Sequence, residues 1–96
     1  MRLIVQKFGG TSVADASTRS QAAGHVARAV QAGWSPVVVV SAIGRRGAPY
    51  ATDTLAGLLA ASQGQPDRRE LDLIMSCGEI VSATIFAADL RAAGLN

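Results

Sequence analysis

Pro36-Val37-Val38-Val39-Val40 reads as a strand with no polar face. Four β-branched side chains in succession favour extended backbone. A strand apolar on both sides belongs in the interior of a parallel sheet. Moving towards the N-terminus, Gly33 stands where a helix-ending glycine belongs. The helix it ends runs from about Thr18 to Ala32, with Ala22, Val26, Ala29 and Val30 on one face and Arg19, His25 and Arg28 off it. Thr11, Ser12, Asp15 and Ser17 offer N-caps ahead of it. Leu3 to Phe8 is a further strand, stopped by Gly9-Gly10. Strand, helix and strand in this order predict a βαβ unit with a right-handed connection.

Beyond the valine run, Ser41 to Ala51 is a polar loop punctuated by Gly44, Gly47 and Pro49. A second helix starts near Thr52 and turns Leu55, Leu58 and Leu59 inward, until Gln63-Gly64-Gln65-Pro66 breaks it. Asp67 and Glu70 have capping-box spacing, and Leu71, Ile74 and Met75 follow at helical intervals. Ser76-Cys77-Gly78 interrupts that pattern. Glu79 then opens a last helix that reaches about Ala93, with Gly94 as its stop. Ile80, Val81, Ile85, Phe86 and Leu90 surround this helix, which predicts burial. The chain shows no repeat, linker or low-complexity tract. Two parallel strands under three or four helices do not make a stable sheet. Residues 1–96 therefore read as the N-terminal segment of a larger α/β domain.

Composition narrows the function. Hydrophobic residues make up 49% of the 96, against disorder. Nine basic and seven acidic side chains leave a net charge of +2, and only Arg45-Arg46 and Arg68-Arg69 are adjacent. With aromatics at 4%, this is no nucleic-acid-binding surface. The single cysteine, Cys77, rules out an internal disulfide framework and a cysteine-based zinc site, and fits a reducing cytoplasm. No uninterrupted apolar run approaches the ~20 residues of a membrane span, and the first seven residues are too short for a secretory signal.

Gly9-Gly10 sits at the carboxyl end of the first strand, where open α/β sheets collect anions on backbone N–H groups. Lys7, two residues earlier, brings an ammonium to the same place, suited to charge on a transferring phosphoryl group. The plainer alternative is a sharp turn with a solvated lysine. The second strand ends in Ser41-Ala42 and then Gly44, so two neighbouring tips would frame one phosphate-sized crevice. Neither the P-loop pattern nor the dinucleotide fingerprint is present. Thr52 serves either as a helix N-cap or as a ligand hydroxyl. Glu79, at the head of an apolar helix, either stabilises the helix dipole or receives a ligand ammonium. Cys77 reads as a small packing residue and His25 as solvated. Trp34 and Tyr50 lie beside loops, and Arg45-Arg46 either reach a nucleotide phosphate or are ordinary exposed loop residues.

Lys7-Phe8-Gly9-Gly10-Thr11-Ser12 resembles the opening motif of the aspartokinases. Val37 to Ala42, Thr52-Asp53-Thr54-Leu55 and Met75-Ser76-Cys77-Gly78-Glu79 match the family's next blocks in order. The stretch Gly44 to Leu55 is similar to the Bacillus-type, diaminopimelate-sensitive branch. The resemblance covers essentially the whole chain. It implies the amino-acid-kinase (carbamate-kinase-like) fold, a three-layer α/β/α sandwich, and transfer of the ATP γ-phosphoryl group to the β-carboxylate of L-aspartate, towards lysine, threonine and methionine. By the same resemblance Lys7, Phe8, Gly9 and Gly10 would contact ATP, with Lys7 catalytic, while Thr52 and Glu79 would hold aspartate. Thr11, Ser12 and Ser41 match positions lining that site. Mg²⁺ is implied with ATP, its ligands and the nucleotide-base site lying in a later kinase segment that precedes regulatory ACT domains. The 96 residues alone are then expected to be inactive, and the intact enzyme a cytoplasmic homo-oligomer without nucleic-acid or membrane partners. Two other readings stand beside it: a relative on the same fold acting on glutamate, acetylglutamate or a nucleotide monophosphate, and a non-catalytic subunit that binds anions or self-associates.

Overall fold

A computed structural model describes residues 1–62 and 64–96. The chain order is β1 (Leu3–Phe8), a one-turn 3-10 helix (Gly10–Val13), α1 (Ala16–Gln31), β2 (Ser35–Val40), α2 (Thr52–Ala60) and α3 (Arg68–Ala92). β1 and β2 pair in parallel, from Leu3 opposite Ser35 to Phe8 opposite Val40. The βαβ unit is therefore present, and both strand tips end at the same level. The predicted helix break at Gln63-Gly64-Gln65-Pro66 includes Gln63, which lies outside the described residues. α2 ends at Ala60, and Gly64 adopts φ +90°.

The sheet is covered on one side only. Ile4, Gln6 and Phe8 on β1, and Pro36, Val38 and Val40 on β2, are half-buried on that side. Against them pack α1, through Ala22, Ala23 and Val26, and α3, through Phe86. Val13 and Phe86 are completely enclosed, and the Phe8 and Phe86 rings meet edge to face at 5.6 Å. Alternate residues face outward: Leu3 and Val5 are 61% and 68% exposed, Val37 and Val39 48% and 42%. The apolar outer face that the valine run predicts is present, but nothing among the described residues covers it.

The helix ends follow local chemistry. α1 starts at Asp15, whose carboxylate accepts the Thr18 N–H at 2.8 Å while the Thr18 hydroxyl accepts the Asp15 N–H. The helix thus begins at Ala16, two residues ahead of the expected Thr18. The predicted Asp67–Glu70 box is present in both directions. Gly33 and Gly94 each adopt positive φ and close the pair of hydrogen bonds typical of a glycine-capped helix. Arg19 on α1 reaches Asp89 on α3 at 2.6 Å and ties the two helices together.

The C-terminal half corrects the sequence reading. Ser76-Cys77-Gly78 does not interrupt a helix; α3 is continuous for 25 residues, about 37 Å. Gly78 is a contact point rather than a break: a β-carbon there would lie 2.6 Å from the Tyr50 carbonyl oxygen and 3.0 Å from the Ala42 β-carbon. Glu79 consequently sits in mid-helix and is exposed, not at a buried helix start. Cys77 is also exposed, not a packing residue. Gly78, Ser82 and Phe86, one turn apart, form the buried edge of α3, while Ile80 is 62% exposed. Leu58 on α2, read as inward, is 63% exposed. By length and composition α3 would also pass for a membrane span; its Gly78–Phe86 edge is taken up by protein instead.

Two tests follow from this packing. Gly78→Ala in an open helix would stabilise by about 1 kcal/mol; here the crowding by Tyr50 and Ala42 makes it destabilising, read as a lower denaturation midpoint. The Thr18 N–H bond holds the Asp15 carboxyl below its ordinary value of 3.8. Its contribution to stability is therefore full above that value and is lost as pH falls through the lower folded one. Asp15→Asn should remove that part of the acid-induced drop in melting temperature, and parallel pH curves for the two proteins would refute it.

Candidate active site

Where the two strand tips meet, the backbones are unusually close. A β-carbon at Gly10 would lie 2.5 Å from the carbonyl oxygens of both Ala42 and Gly44. The Gly44 N–H donates to the Gly10 carbonyl at 3.0 Å, and the Ser41 N–H to that of Phe8 at 3.1 Å. These bonds carry the parallel ladder past the strands and lock the Gly9-Gly10 turn to the β2 exit. Gly9 differs: its backbone is ordinary extended chain, and a β-carbon there would meet nothing within 4 Å. The two glycines therefore have separate duties, Gly10 to its own chain and Gly9 to open space.

Around this junction lies a crevice of about 180 Å³ whose walls include Gly10, Ser41, Arg45, Arg46, Thr52 and Asp53. It is smaller than the usual pocket for a whole organic ligand and is of a size for a phosphate or a short acid. Gly10, Ser41, Thr52 and the Arg45-Arg46 pair, all singled out in the sequence, thus come together from three separate segments. Thr52 is the first residue of α2, not its cap. Ala51 holds the cap position without a side-chain bond, so the Thr52 hydroxyl has no capping duty.

The remaining candidates fall elsewhere. Thr11 and Ser12, on the 3-10 helix, line a separate hollow of about 270 Å³ with Phe8, Thr18, Gln21 and His25. The Phe8 ring faces the core. Lys7 is exposed on the uncovered face of the sheet, opposite Val39, and lines neither hollow. Glu79 follows Gly78, which touches Ala42 directly beyond the β2 tip. Asp53 joins the crevice without having been singled out in the sequence; its place beside Thr52 was the available signal. Its carboxylate stands 3.8 Å from Arg46 Nε, with both side chains largely in solvent. Such a pair adds little stability. A larger hollow, about 750 Å³, lies at the far end of the strands among Val26, Trp34, Pro36, Leu90 and Leu95, and includes none of these candidates.

The model of the amino acid kinase family matches residues 2–96. The chain belongs to the amino acid kinase family. Aspartokinase 1 of Bacillus subtilis is 53% identical over 90 residues, which are 94% of this chain and 22% of that protein. An aspartokinase of Geobacillus stearothermophilus is 42% identical over 98% of this chain and 22% of its own length. Among solved structures, the aspartate kinase from Synechocystis matches with a TM-score of 0.82 and 40% identity, over 97% of this chain and 15% of that one. The chain thus spans 22% of the length of these curated relatives. It has the amino-acid-kinase fold that the resemblance implies, carried as two strands and one covering helical layer.

The distinction between the glycines is measurable in this family member. Gly10→Ala should destabilise by about 1–3 kcal/mol, the usual effect of forcing an extra carbon into filled space. Gly9→Ala should leave the melting temperature unchanged; a large loss there would mean that the open space beside Gly9 is occupied.

Proposed function

We propose that the intact protein is an aspartate kinase and that residues 1–96 are the N-terminal segment of its kinase domain. The observation that carries this reading is the crevice at the paired strand tips. Backbone from one tip meets Ser41 and Thr52 there, in a chain 53% identical to a curated aspartokinase. The bare outer face of the sheet supports the domain assignment, because a parallel sheet ordinarily carries cover on both sides.

In this reading ATP donates its γ-phosphoryl group to the β-carboxylate of L-aspartate, giving 4-phospho-L-aspartate and ADP. The carboxylate is itself the nucleophile, so no side chain needs to form a covalent intermediate. Two anions must instead be brought together, and catalysis is positioning plus neutralisation. Lys7 stands one residue short of the β1 tip on the uncovered face of the sheet, and its ammonium neutralises charge shifting between the β- and γ-phosphates. Backbone at Phe8, Gly9 and Gly10 lies along the phosphates, the open side of Gly9 allowing close approach. Thr52 and Glu79 hold aspartate, Glu79 pairing with its α-ammonium. Ser41 supplies its hydroxyl at the crevice, and Thr11 and Ser12 supply theirs from the separate hollow beside Phe8. Mg²⁺ arrives with ATP. Among the described residues no three His, Cys, Asp or Glu side chains converge. The product feeds lysine, threonine and methionine synthesis, in a cytoplasmic homo-oligomer.

In the intact gene product, Lys7→Ala should lower kcat by about 100-fold or more with the circular dichroism unchanged. Glu79→Ala should raise the KM for aspartate by about tenfold. Wild-type values for both variants would sink the assignment, and so would faster turnover with glutamate than with aspartate.

A further inference from the structure

Gly44-Arg45-Arg46-Gly47 crosses the rim of the crevice, and its backbone is tied at Gly44 and Arg45. Gly44 is tied to the Gly10 carbonyl. It adopts φ +90°, and a β-carbon on it would lie 2.6 Å from that of Ala48. The Ala48 N–H donates to the Arg45 carbonyl at 2.9 Å, closing a four-residue turn with Gly47 at its third position, φ +92°. The Ala48 carbonyl in turn accepts the Thr54 hydroxyl at 2.6 Å and the Ala51 N–H at 3.1 Å. The turn is thus fastened to both the β1 tip and the start of α2.

Its side chains are not fastened. Arg45 is exposed, and Arg46 is 90% exposed with only the 3.8 Å approach to Asp53. Three arginines elsewhere are engaged: Arg19 grips Asp89 at 2.6 Å, Arg2 stacks 4.0 Å over the Trp34 ring, and Arg28 meets the His25 ring at 2.9 Å, while Arg68, Arg69 and Arg91 are exposed on α3 and line no part of this crevice. Two adjacent guanidinium groups repel each other, yet this turn presents both to a small hollow whose other side chains include two hydroxyls. With Asp53 as the one carboxylate on the walls, the lining keeps a net positive charge. Planar fork donors at such a place match carboxylate or phosphate oxygens.

We propose that the Arg45–Arg46 turn is an anion-binding flap: its guanidinium groups seat a carboxylate or phosphate group against Ser41 and Thr52, and the Asp53 carboxylate, 3.8 Å from Arg46 Nε, competes with that anion for Arg46. Both are binding and positioning residues, with no part in proton or phosphoryl transfer. Their identity as aspartate- or ATP-binding groups rests on the aspartate-kinase reading; their affinity for an anion does not.

The test uses the intact gene product, with calorimetric titration of inorganic phosphate and steady-state kinetics varying ATP and L-aspartate separately. Arg45→Ala/Arg46→Ala should weaken phosphate binding by about tenfold or more and raise the KM of one substrate to the same degree. The melting temperature should not move, and kcat should change less than KM. A shifted aspartate KM identifies the carboxylate as the occupant; a shifted ATP KM identifies the phosphate. Arg46→Lys should restore part of the affinity, and Asp53→Asn should tighten phosphate binding, a sign reversal that a merely structural role would not produce. Unchanged phosphate affinity with both KM values within about twofold of wild type overturns the proposal. If the wild-type protein phosphorylates no aspartate, the kinase reading fails, and the phosphate titration alone decides the flap.

Discussion

The close approach of two backbones at Gly10 is the constraint on which the site depends. No β-carbon fits between Gly10 and the carbonyls of Ala42 and Gly44, so only glycine lets the first tip lie against the exit of the second. That contact sets the place of Ser41, the course of the Arg45–Arg46 turn and, through Ala48 and Thr54, the start of α2. A similar logic recurs at Gly78, where the missing side chain lets α3 touch the same junction. Two glycines far apart in sequence thus bring three segments together. Both act by what they omit.

The core is thin and one-sided. Val13 and Phe86 are its fully enclosed large apolar side chains, and α1 contributes mainly alanines. Small residues on α1 allow the helix to lie close to the sheet, and the volume between is filled by Phe8 and Phe86 packed edge to face. The bare face of Leu3, Val5, Val37 and Val39 shows the same sheet without its other cover. Lys7 lies at the top of this bare face, so its side chain and the helical layer are on opposite sides of the sheet, and the tips are what they have in common.

Much of this was legible along the chain. The valine run and Leu3–Phe8 identified two parallel strands, Gly33 and Gly94 marked their helix ends, and Asp67 with Glu70 marked a helix start. Each of these signals is local: a cap or a β-branched run acts within a turn or a strand. The misreadings share the opposite character. Gly78 looked like a helix breaker because glycine is a poor helix former, but the space it leaves is filled by Tyr50 and Ala42. Glu79 reads as buried from the apolar residues that follow it and Cys77 as a packing residue from its type, but α3 buries its Gly78–Ser82–Phe86 edge and leaves both exposed. Leu58 was judged by spacing alone, which places a residue on a face without saying whether anything meets that face.

The sequence by itself determined the parallel strands, the capped helices and the motif blocks of an amino acid kinase, because backbone preference and hydrophobic period are short-range properties. Tertiary structure alone decided that Gly10, Ser41 and Thr52 share one crevice while Thr11 and Ser12 line another, that Asp53 and two arginines border the first, and that α3 passes unbroken through Gly78. Those outcomes depend on which backbone atoms come within a few ångströms of each other across the fold, a distance that no local pattern encodes.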